Sequence, residues 1–229
     1  YITGASSRGL ERCQVLERKV RAFLPLPSEH ADFVKNLPSR LRQEIRRDRK
    51  VAKWRGAELK IVDRAEEFEQ YFEMLIHLHQ SRWTSRGKPG VFASERFTRF
   101  HRELGPILVD KGFLKLFVLL VDGGPVSAQQ LFIEGETVSI YQSGFFVGES
   151  GIISPGTLLL DFAIEWAIGR GYSTWDFLKA SEGSYKFRWN PSLSDIYDMR
   201  IAPSSSKEMI YVTTNRMIDG LRQIRRALR

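Results

Sequence analysis

Between residues 137 and 189 the sequence gathers the side chains best able to do chemistry. Asp176 sits between Trp175 and Phe177, and Lys179, Glu182, Tyr185, Lys186 and Arg188 follow in the segment KASEGSYKFRW. A carboxylate held between two aromatics is either a general base with a raised pKa or a buried structural acceptor. A phenol such as Tyr185 can return a proton to a departing group or serve as an aromatic wedge. Lys186 and Arg188 offer the charge that phosphates bind, against the alternative of ordinary surface charge. Upstream, Ser154, Pro155, Gly156 and Thr157 open the apolar run LLLDFAIEWAIG. A helix starting there presents free backbone N–H groups and the positive end of its dipole, which together favour an anion. The alternative is a plain Ser-Pro helix start, since proline favours the first turn in any case.

These residues need a frame, and the sequence supplies one. TVSIYQSGFF reads as a strand, the run after Ser154 as a helix to Gly169, and YSTWDFL as a second strand. A crossover helix between two strands makes the pair parallel and the connection right-handed. Ligands of open α/β sheets collect outside the carboxyl ends of such strands. The helix is apolar on nearly all sides and is expected in the core, with Asp161, Glu165 and Arg170 as its wet edge.

The chain of 229 residues can bury a substantial core, and 42% hydrophobic with 27% charged residues excludes a disordered chain. Phe113 to Val121 is the longest apolar run and is too short to cross a bilayer. A single cysteine, Cys13, excludes an internal disulfide and a cysteine-rich zinc site, and is compatible with a reducing, cytoplasmic setting. No histidine among His30, His77 and His101 has metal-ligand spacing with carboxylates, so no metal is expected. The sequence opens on Tyr1, which leads us to expect a natural N-terminus upstream. The net charge of +8 is concentrated in two places. Arg40, Arg42, Arg46, Arg47, Arg49, Lys50, Lys53 and Arg55 share one stretch opposed by Glu44 and Asp48; Arg216, Arg222, Arg225, Arg226 and Arg229 end the chain. Such fields attract RNA, anionic lipid or nucleotide-linked substrates, although each cluster is also compatible with a solvated helix face.

In chain order, Cys13 to Leu26 reads as a strand, Glu29 to Asn36 as a short helix capped by Ser28, and Ser39 to about Arg55 as the basic helix, restarted after Pro38. Leu59 to Val62 is a further strand. Asp63 and Glu66 resemble a capping box for a helix whose stripe is Phe68, Phe72, Leu75, His79 and Trp83. Ser94 starts another helix, expected to bury Phe97, Phe100, Leu104 and Leu108 and to kink at Pro106. FLKLFVLLV, the turn Asp122-Gly123-Gly124, PVSAQQLFIEG and a turn near Gly135 then make an antiparallel meander feeding the central unit. Gln129 and Gln130 point to opposite faces, so one of them is expected in the interior or the cleft. Asp195 to Ile201 reads as a last strand and the tail from Lys207 as an arginine-rich helix.

The segments LHQSRWTSRG, IYQSGF, SPGTLLL, WDFLKASEGSYKFRW and SRLRQEIRRDRK, taken with this order of elements, resemble the GNAT acyltransferase fold. Within it they resemble the CelD/BcsL-like branch associated with cellulose and exopolysaccharide biosynthesis in bacteria, itself related to the FemABX peptidyltransferases. The resemblance implies an α+β architecture with a mixed, mostly antiparallel sheet and a central splayed parallel strand pair, flanked by helices. It implies residues 1–62 as the end of a first similar half with a basic helix, 63–203 as a complete GNAT-like domain, and 204–229 as a basic C-terminal helix. It implies acetyl-CoA or another acyl-CoA as co-substrate, and a small-molecule or saccharide acceptor with an amine or hydroxyl. It places Asp176, Tyr185 and Lys186 in catalysis. Tyr141, Gln142, Ser143, Gly144, Ser154, Gly156 and Thr157 are assigned to the cofactor. His79, Arg82, Trp83, Glu182 and Arg188 are assigned to the acceptor, with His79 equally readable as a core histidine. Gly144 is expected to permit close approach or a bulge. Two departures stand out: Lys179-Ala180 replaces an arginine-glycine pair, and the loop lacks the usual arginine/glutamine-x-x-glycine-x-glycine/alanine signature. They leave open a FemABX-like transfer from aminoacyl-tRNA, and outside catalysis a basic module binding RNA or peripherally an anionic membrane.

Overall fold

The computed structural model describes residues 12–146 and 151–202. The arginine-rich tail from Lys207 onward lies outside the described residues. The chain forms two compact units, residues 21–194 and residues 12–20 with 195–202. The element order is β1 (Arg12–Pro25), α1 (His30–Asn36), α2 (Ser39–Trp54), β2 (Glu58–Val62), α3 (Ala65–Thr84), α4 (Glu95–Asp110), β3 (Leu114–Val121), β4 (Gly124–Glu134), β5 (Thr137–Phe145), α5 (Pro155–Gly169), β6 (Thr174–Ala180) and β7 (Ser192–Ala202). The strands form one mixed, mostly antiparallel sheet in the order β2-β3-β4-β5-β6-β1-β7. In the smaller unit Arg18 of β1 makes a forked pair with Asp195 of β7, Nε to Oδ1 at 2.9 Å and Nη2 to Oδ2 at 2.8 Å.

In the larger unit β2–β3, β3–β4 and β4–β5 pair antiparallel and β5–β6 pair parallel. Asp122 and Gly123 both take positive φ, 52° and 77°, as a two-residue hairpin between right-twisted strands requires. The two faces are covered differently. One core joins α1, α2 and α5 to the sheet through Phe33, Ile45, Leu159 and Ile164. The other packs α3 and α4 against β2, β3 and β4 through Phe68, Phe72, Leu75 and Val109. Gly105 lets these two helices close up, since a Cβ there would stand 2.1 Å from the Phe68 ring.

Several local expectations change. Asp63 and Glu66 make no capping box; α3 starts after Arg64 without a side-chain cap. Glu29, not Ser28, is the residue before α1, and it too makes no cap bond. Ser94 does cap α4, accepting the Phe97 N–H at 3.3 Å. The buried face of α4 is His101, Gly105 and Val109, and Phe100 is exposed. The apolar-only stripe missed this because a histidine and a glycine occupy two of its inward positions. Asp161 is no wet edge, being fully buried between Arg49 and His30, whereas Glu165 and Arg170 are exposed. Gln129 and Gln130 are both buried.

Candidate functional site

The parallel pairing of β5 with β6 covers only Thr137↔Thr174, Val138↔Trp175 and Ser139↔Asp176. Both strands continue beyond it, to Phe145 and Ala180, so they part at Ser139 and Asp176. Local irregularities in each strand accompany the parting. On β5, Leu131 faces Ile140 but Gln130 faces Gln142, which leaves Tyr141 as an extra, bulged residue. A bulge bends its strand and reverses the side-chain alternation after it. Tyr141 therefore packs toward α4, its ring 5.4 Å from His101 and 5.1 Å from Phe132, while Ser143 and Phe145 turn to the α5 side. Gly144 faces the opposite way, against the α3 backbone; it provides the close approach and Tyr141 the bulge.

On β6, Leu178 takes φ +60°, unusual for a branched side chain. Its N–H donates to Asp176 Oδ1 at 2.7 Å, and Asp176 Oδ2 accepts from Arg21 Nε at 2.7 Å. Both carboxylate oxygens are engaged in holding the bend. Just beyond, Lys186 Nζ donates to the carbonyls of Phe177 at 2.5 Å and Lys179 at 2.6 Å. Burial lowers the Lys186 pKa, with the Asp176 charge opposing it. Lys186 thus satisfies carbonyls near the end of β6 and ties the turn Tyr185–Trp189 to that strand.

Against the part of β5 beyond its pairing with β6 lies a cavity of about 390 Å³. Its walls include Ser143, Ser154, Gly156, Thr157, Arg82, Tyr185 and Arg188, seven of the residues singled out from the sequence. Asp176, Lys186, Tyr141, Gln142, Gly144, His79, Trp83 and Glu182 do not line it. Gln129, whose strand position fitted either interior or cleft, lies in the wall and donates through Nε2 to the Gly156 carbonyl at 3.1 Å. The apolar side of the wall, Phe145, Phe146, Ile152, Ile153 and Leu160, was missed. Only the bulge at Tyr141 would have told that Phe145 turns inward, and bulges leave little trace in a sequence.

The start of α5 is the anion-favouring end. Ser154 precedes Pro155 at the first helical position, and the first intrahelical bond is Leu158 N–H to the Ser154 carbonyl at 2.9 Å. Gly156 and Thr157 come before that bond, so their N–H groups have no partner within the helix. The Ser154 N–H is already used: it donates to Asp48 Oδ2 at 2.9 Å, which anchors the loop to α2. On the far wall the Arg82 guanidinium lies 4.2 Å over the Phe145 ring. Arg188 Nη2 donates to Glu44 Oε2 at 2.6 Å. Although 43% of Tyr185 is open to solvent, burial around its hydroxyl raises the phenol above its ordinary value, with the charge of Arg82 drawing it back.

His79 lies behind the cavity wall, edge-on to Phe92 at 4.9 Å, with Nδ1 3.1 Å from Gln80 Oε1. Burial depresses both His79 and His101 below the ordinary 6.5. Unfolding therefore lets both take up protons more readily, so stability is full above the unfolded value near 6.5 and falls as pH drops through it toward the folded values. Denaturant unfolding between pH 7.5 and pH 5 should show this slope, and it should be shallower in His101→Gln. An identical slope in the variant would refute the assignment.

A family model described as an acetyltransferase (GNAT) domain matches residues 39–187. The chain belongs to the GNAT acetyltransferase family. The match runs from the first residue of α2 into the turn Tyr185–Trp189, so it contains the parted strands and every described cavity-lining residue but Arg188. Comparison with curated protein sequences gives no match. Among solved structures the fold is similar to that titled FemX, at TM-score 0.60 and 13% identity, over 76% of this chain and 59% of that one. It is also similar to the C-terminal domain of a putative lysylphosphatidylglycerol synthetase from Agrobacterium fabrum, at TM-score 0.53 and 11% identity, over 88% and 65%. A third is L-PGS from Bacillus licheniformis, at TM-score 0.53 and 11% identity, over 90% and 67%. The chain thus spans about three-fifths of the FemX structure it matches. Among the described residues no helix is long and apolar enough to cross a membrane, and no three His, Cys, Asp or Glu side chains are grouped to hold a metal ion.

Proposed function

We propose that this GNAT domain transfers an acyl group from acyl-CoA to an amine or hydroxyl of an acceptor used in polysaccharide or cell-envelope biosynthesis. The observation that carries the reading is the cavity beside β5, which parts from β6 after three paired residues, bounded by the first turn of α5. The N–H groups of Gly156 and Thr157 suit a diphosphate. The β6-facing edge of β5 beyond Ser139 has no strand beside it and can pair with an extended amide-bearing arm, as a sheet edge pairs with a peptide. Ser143 and Gln129 offer polar groups next to that edge, and Phe145, Ile152 and Leu160 exclude water from it. A thioester would supply the electrophile and a thiolate leaving group. In this reading Tyr185, a cavity-lining phenol, would give that sulfur a hydrogen bond or a proton. Asp176 and Lys186 act in this reading as positioning residues, since their polar atoms are spent on the β6 bend and the carbonyls beyond it.

The test is calorimetric titration of the protein with CoA, beside the Gly156→Glu variant. Gly156 borders Phe145 so closely that an added Cβ would lie 3.0 Å from the ring, and the new carboxylate would stand at the helix start. We expect micromolar binding in the wild type and a loss of roughly tenfold or more in the variant. No CoA binding by the wild type, or equal binding by the variant, would sink the reading.

A second reading is favoured by the exposed cationic face of α2. Arg40, Arg46, Arg47, Lys50 and Lys53 are all exposed there, while Arg49 and Arg55 turn to Asp161 and Asp122. With the likeness to FemX and the altered loop signature, that face supports an aminoacyl-tRNA donor in place of CoA. This reading predicts tRNA binding that persists at physiological salt and weakens as Arg46 and Lys50 are removed.

A further inference from the structure

Among the described residues no acidic side chain lines the cavity, yet two guanidinium groups do. Arg188 is compensated by Glu44. Arg82 is not: among the described residues no carboxylate pairs with it, and its Nε is shut away from solvent without a hydrogen-bond acceptor. Its surroundings disfavour its charge, with burial lowering its pKa, the Arg86 charge lowering it further, and Tyr185 acting in the opposite direction. A partly buried guanidinium without a counter-charge among the described residues is costly, and a planar fork of N–H donors is the partner that a carboxylate fits. Arg82 and the start of α5 meet different parts of the Phe145 ring. The Phe145 ring has the guanidinium 4.2 Å from its centre and the Gly156 Cα flank at its edge. A diphosphate on Gly156 and Thr157 leaves Arg82 for a second anionic group.

We propose that Arg82, with the Tyr185 hydroxyl beside it, binds a carboxylate carried by one of the two substrates. It resides either on the acceptor, as in an amino acid or a peptide C-terminus, or at the far end of a dicarboxylic acyl chain. The inference rests on the acyltransferase reading and adds the substrate class to it. The apolar wall of Phe146, Ile152 and Ile153 accommodates the carbon skeleton, and the fork of Arg82 selects its charged end.

The experiment compares pairs that differ only in that charge. Succinyl-CoA is titrated against butyryl-CoA by calorimetry, and free L-amino acids are compared with their amides as acceptors of acetyl-CoA, following release of free CoA thiol. Each is repeated with Arg82→Gln and Arg82→Lys. The wild type should favour the carboxylated member of one pair by about 10- to 100-fold, the range expected for a hydrogen bond to a charged group. Arg82→Gln should abolish that preference by raising Kd or KM for the carboxylated member far more than for the neutral one. Arg82→Lys should restore part of it. Preference in the first pair assigns the carboxylate to the acyl chain, in the second to the acceptor. The proposal is overturned if neither pair shows a preference, or if Arg82→Gln weakens both members alike, which would make the residue structural or part of the diphosphate site. Failure of the wild type to bind CoA is a different result. It removes the acyl-CoA reading, and the carboxylate claim is then decided by thermal shift, amino acids against amides, in wild type and Arg82→Gln, where equal shifts overturn it.

Discussion

Asp161→Ala should destabilise the protein by about 3–5 kcal/mol, the range for removing one partner of a buried ion pair. Asp161 is fully buried, on the side of α5 that meets α1 and α2. Its Oδ2 accepts from Arg49 Nε at 2.5 Å, and its Oδ1 lies 3.0 Å from His30 Nε2. Arg49 Nη2 also reaches Glu165 Oε2 at 2.7 Å, on the next turn of α5. The Arg49 guanidinium lies 4.6 Å over the Phe162 ring, so it is held by three residues of that helix, Asp161, Phe162 and Glu165. Removing Asp161 leaves Arg49, only 29% exposed at its side chain, with the half-exposed Glu165 as its one remaining carboxylate. Burial works against the Arg49 charge, and the Asp161 and Glu165 charges and hydrogen bonds outweigh it, leaving the pKa raised. Denaturant unfolding of Asp161→Ala, Arg49→Ala and the double variant gives the coupling directly. We expect the double variant to lose less than the sum of the singles by more than about 1 kcal/mol, because the second removal takes away the stranded charge. A single-variant loss below about 1 kcal/mol, or additive losses, would show that the pair does not fix α5. The consequence for function runs through the helix: α2 holds α5 at Asp161, and Asp48 of the same α2 holds the Ser154 loop at its start.

That arrangement also shows how far the sequence could be read. Every strand and helix nominated within the described residues forms, because period-two and period-four apolar patterns and the Gly and Pro stops carry local information. The partner of a polar residue carries none. Asp161 stood out as a polar residue on an otherwise apolar helix, and local pattern assigned it to solvent; its partners come from residues 112 and 131 positions away. Asp176 was left between base and structural acceptor, and Arg21, 155 positions away, is what engages its second oxygen. The cavity divides in the same way. Ser154, Gly156 and Thr157 were legible because a helix start is a local event. Ser143 was legible as part of a strand, but which of its neighbours Tyr141, Gln142 and Gly144 share its face was not. One extra residue in β5 decides it, since it reverses alternation without changing composition.

Gly144→Ala should be the most disruptive of the small substitutions, costing roughly 3 kcal/mol or more, at or above the usual top of overpacking losses. An added Cβ would lie 2.4 Å from the backbone nitrogen of His79, and 2.8 Å from both the carbonyl carbon and the Cβ of Leu78. The first two of these atoms belong to the α3 main chain, which cannot rotate out of the way as a side chain can. Leu78 and His79 are themselves buried, and the same face of α3 is held in the core by Phe68, Phe72 and Leu75. The remaining freedom lies in β5, so relief of the clash should lift its last residues from α3 and toward the cavity. Residues 143 and 145 on that segment are cavity wall, and Ser127 Oγ, which donates to the Gly144 carbonyl at 3.3 Å, would lose its acceptor. We therefore expect Gly144→Ala to combine a large drop in unfolding free energy with faster amide exchange in residues 142–145 and weaker ligand binding. Leu78→Ala decides the cause. Trimming Leu78 removes its side chain beyond Cβ but leaves the His79 nitrogen where it is, so it should fail to rescue Gly144→Ala. Recovery in the double variant would mean that the contact is side-chain packing, and that β5 is not set by the α3 backbone.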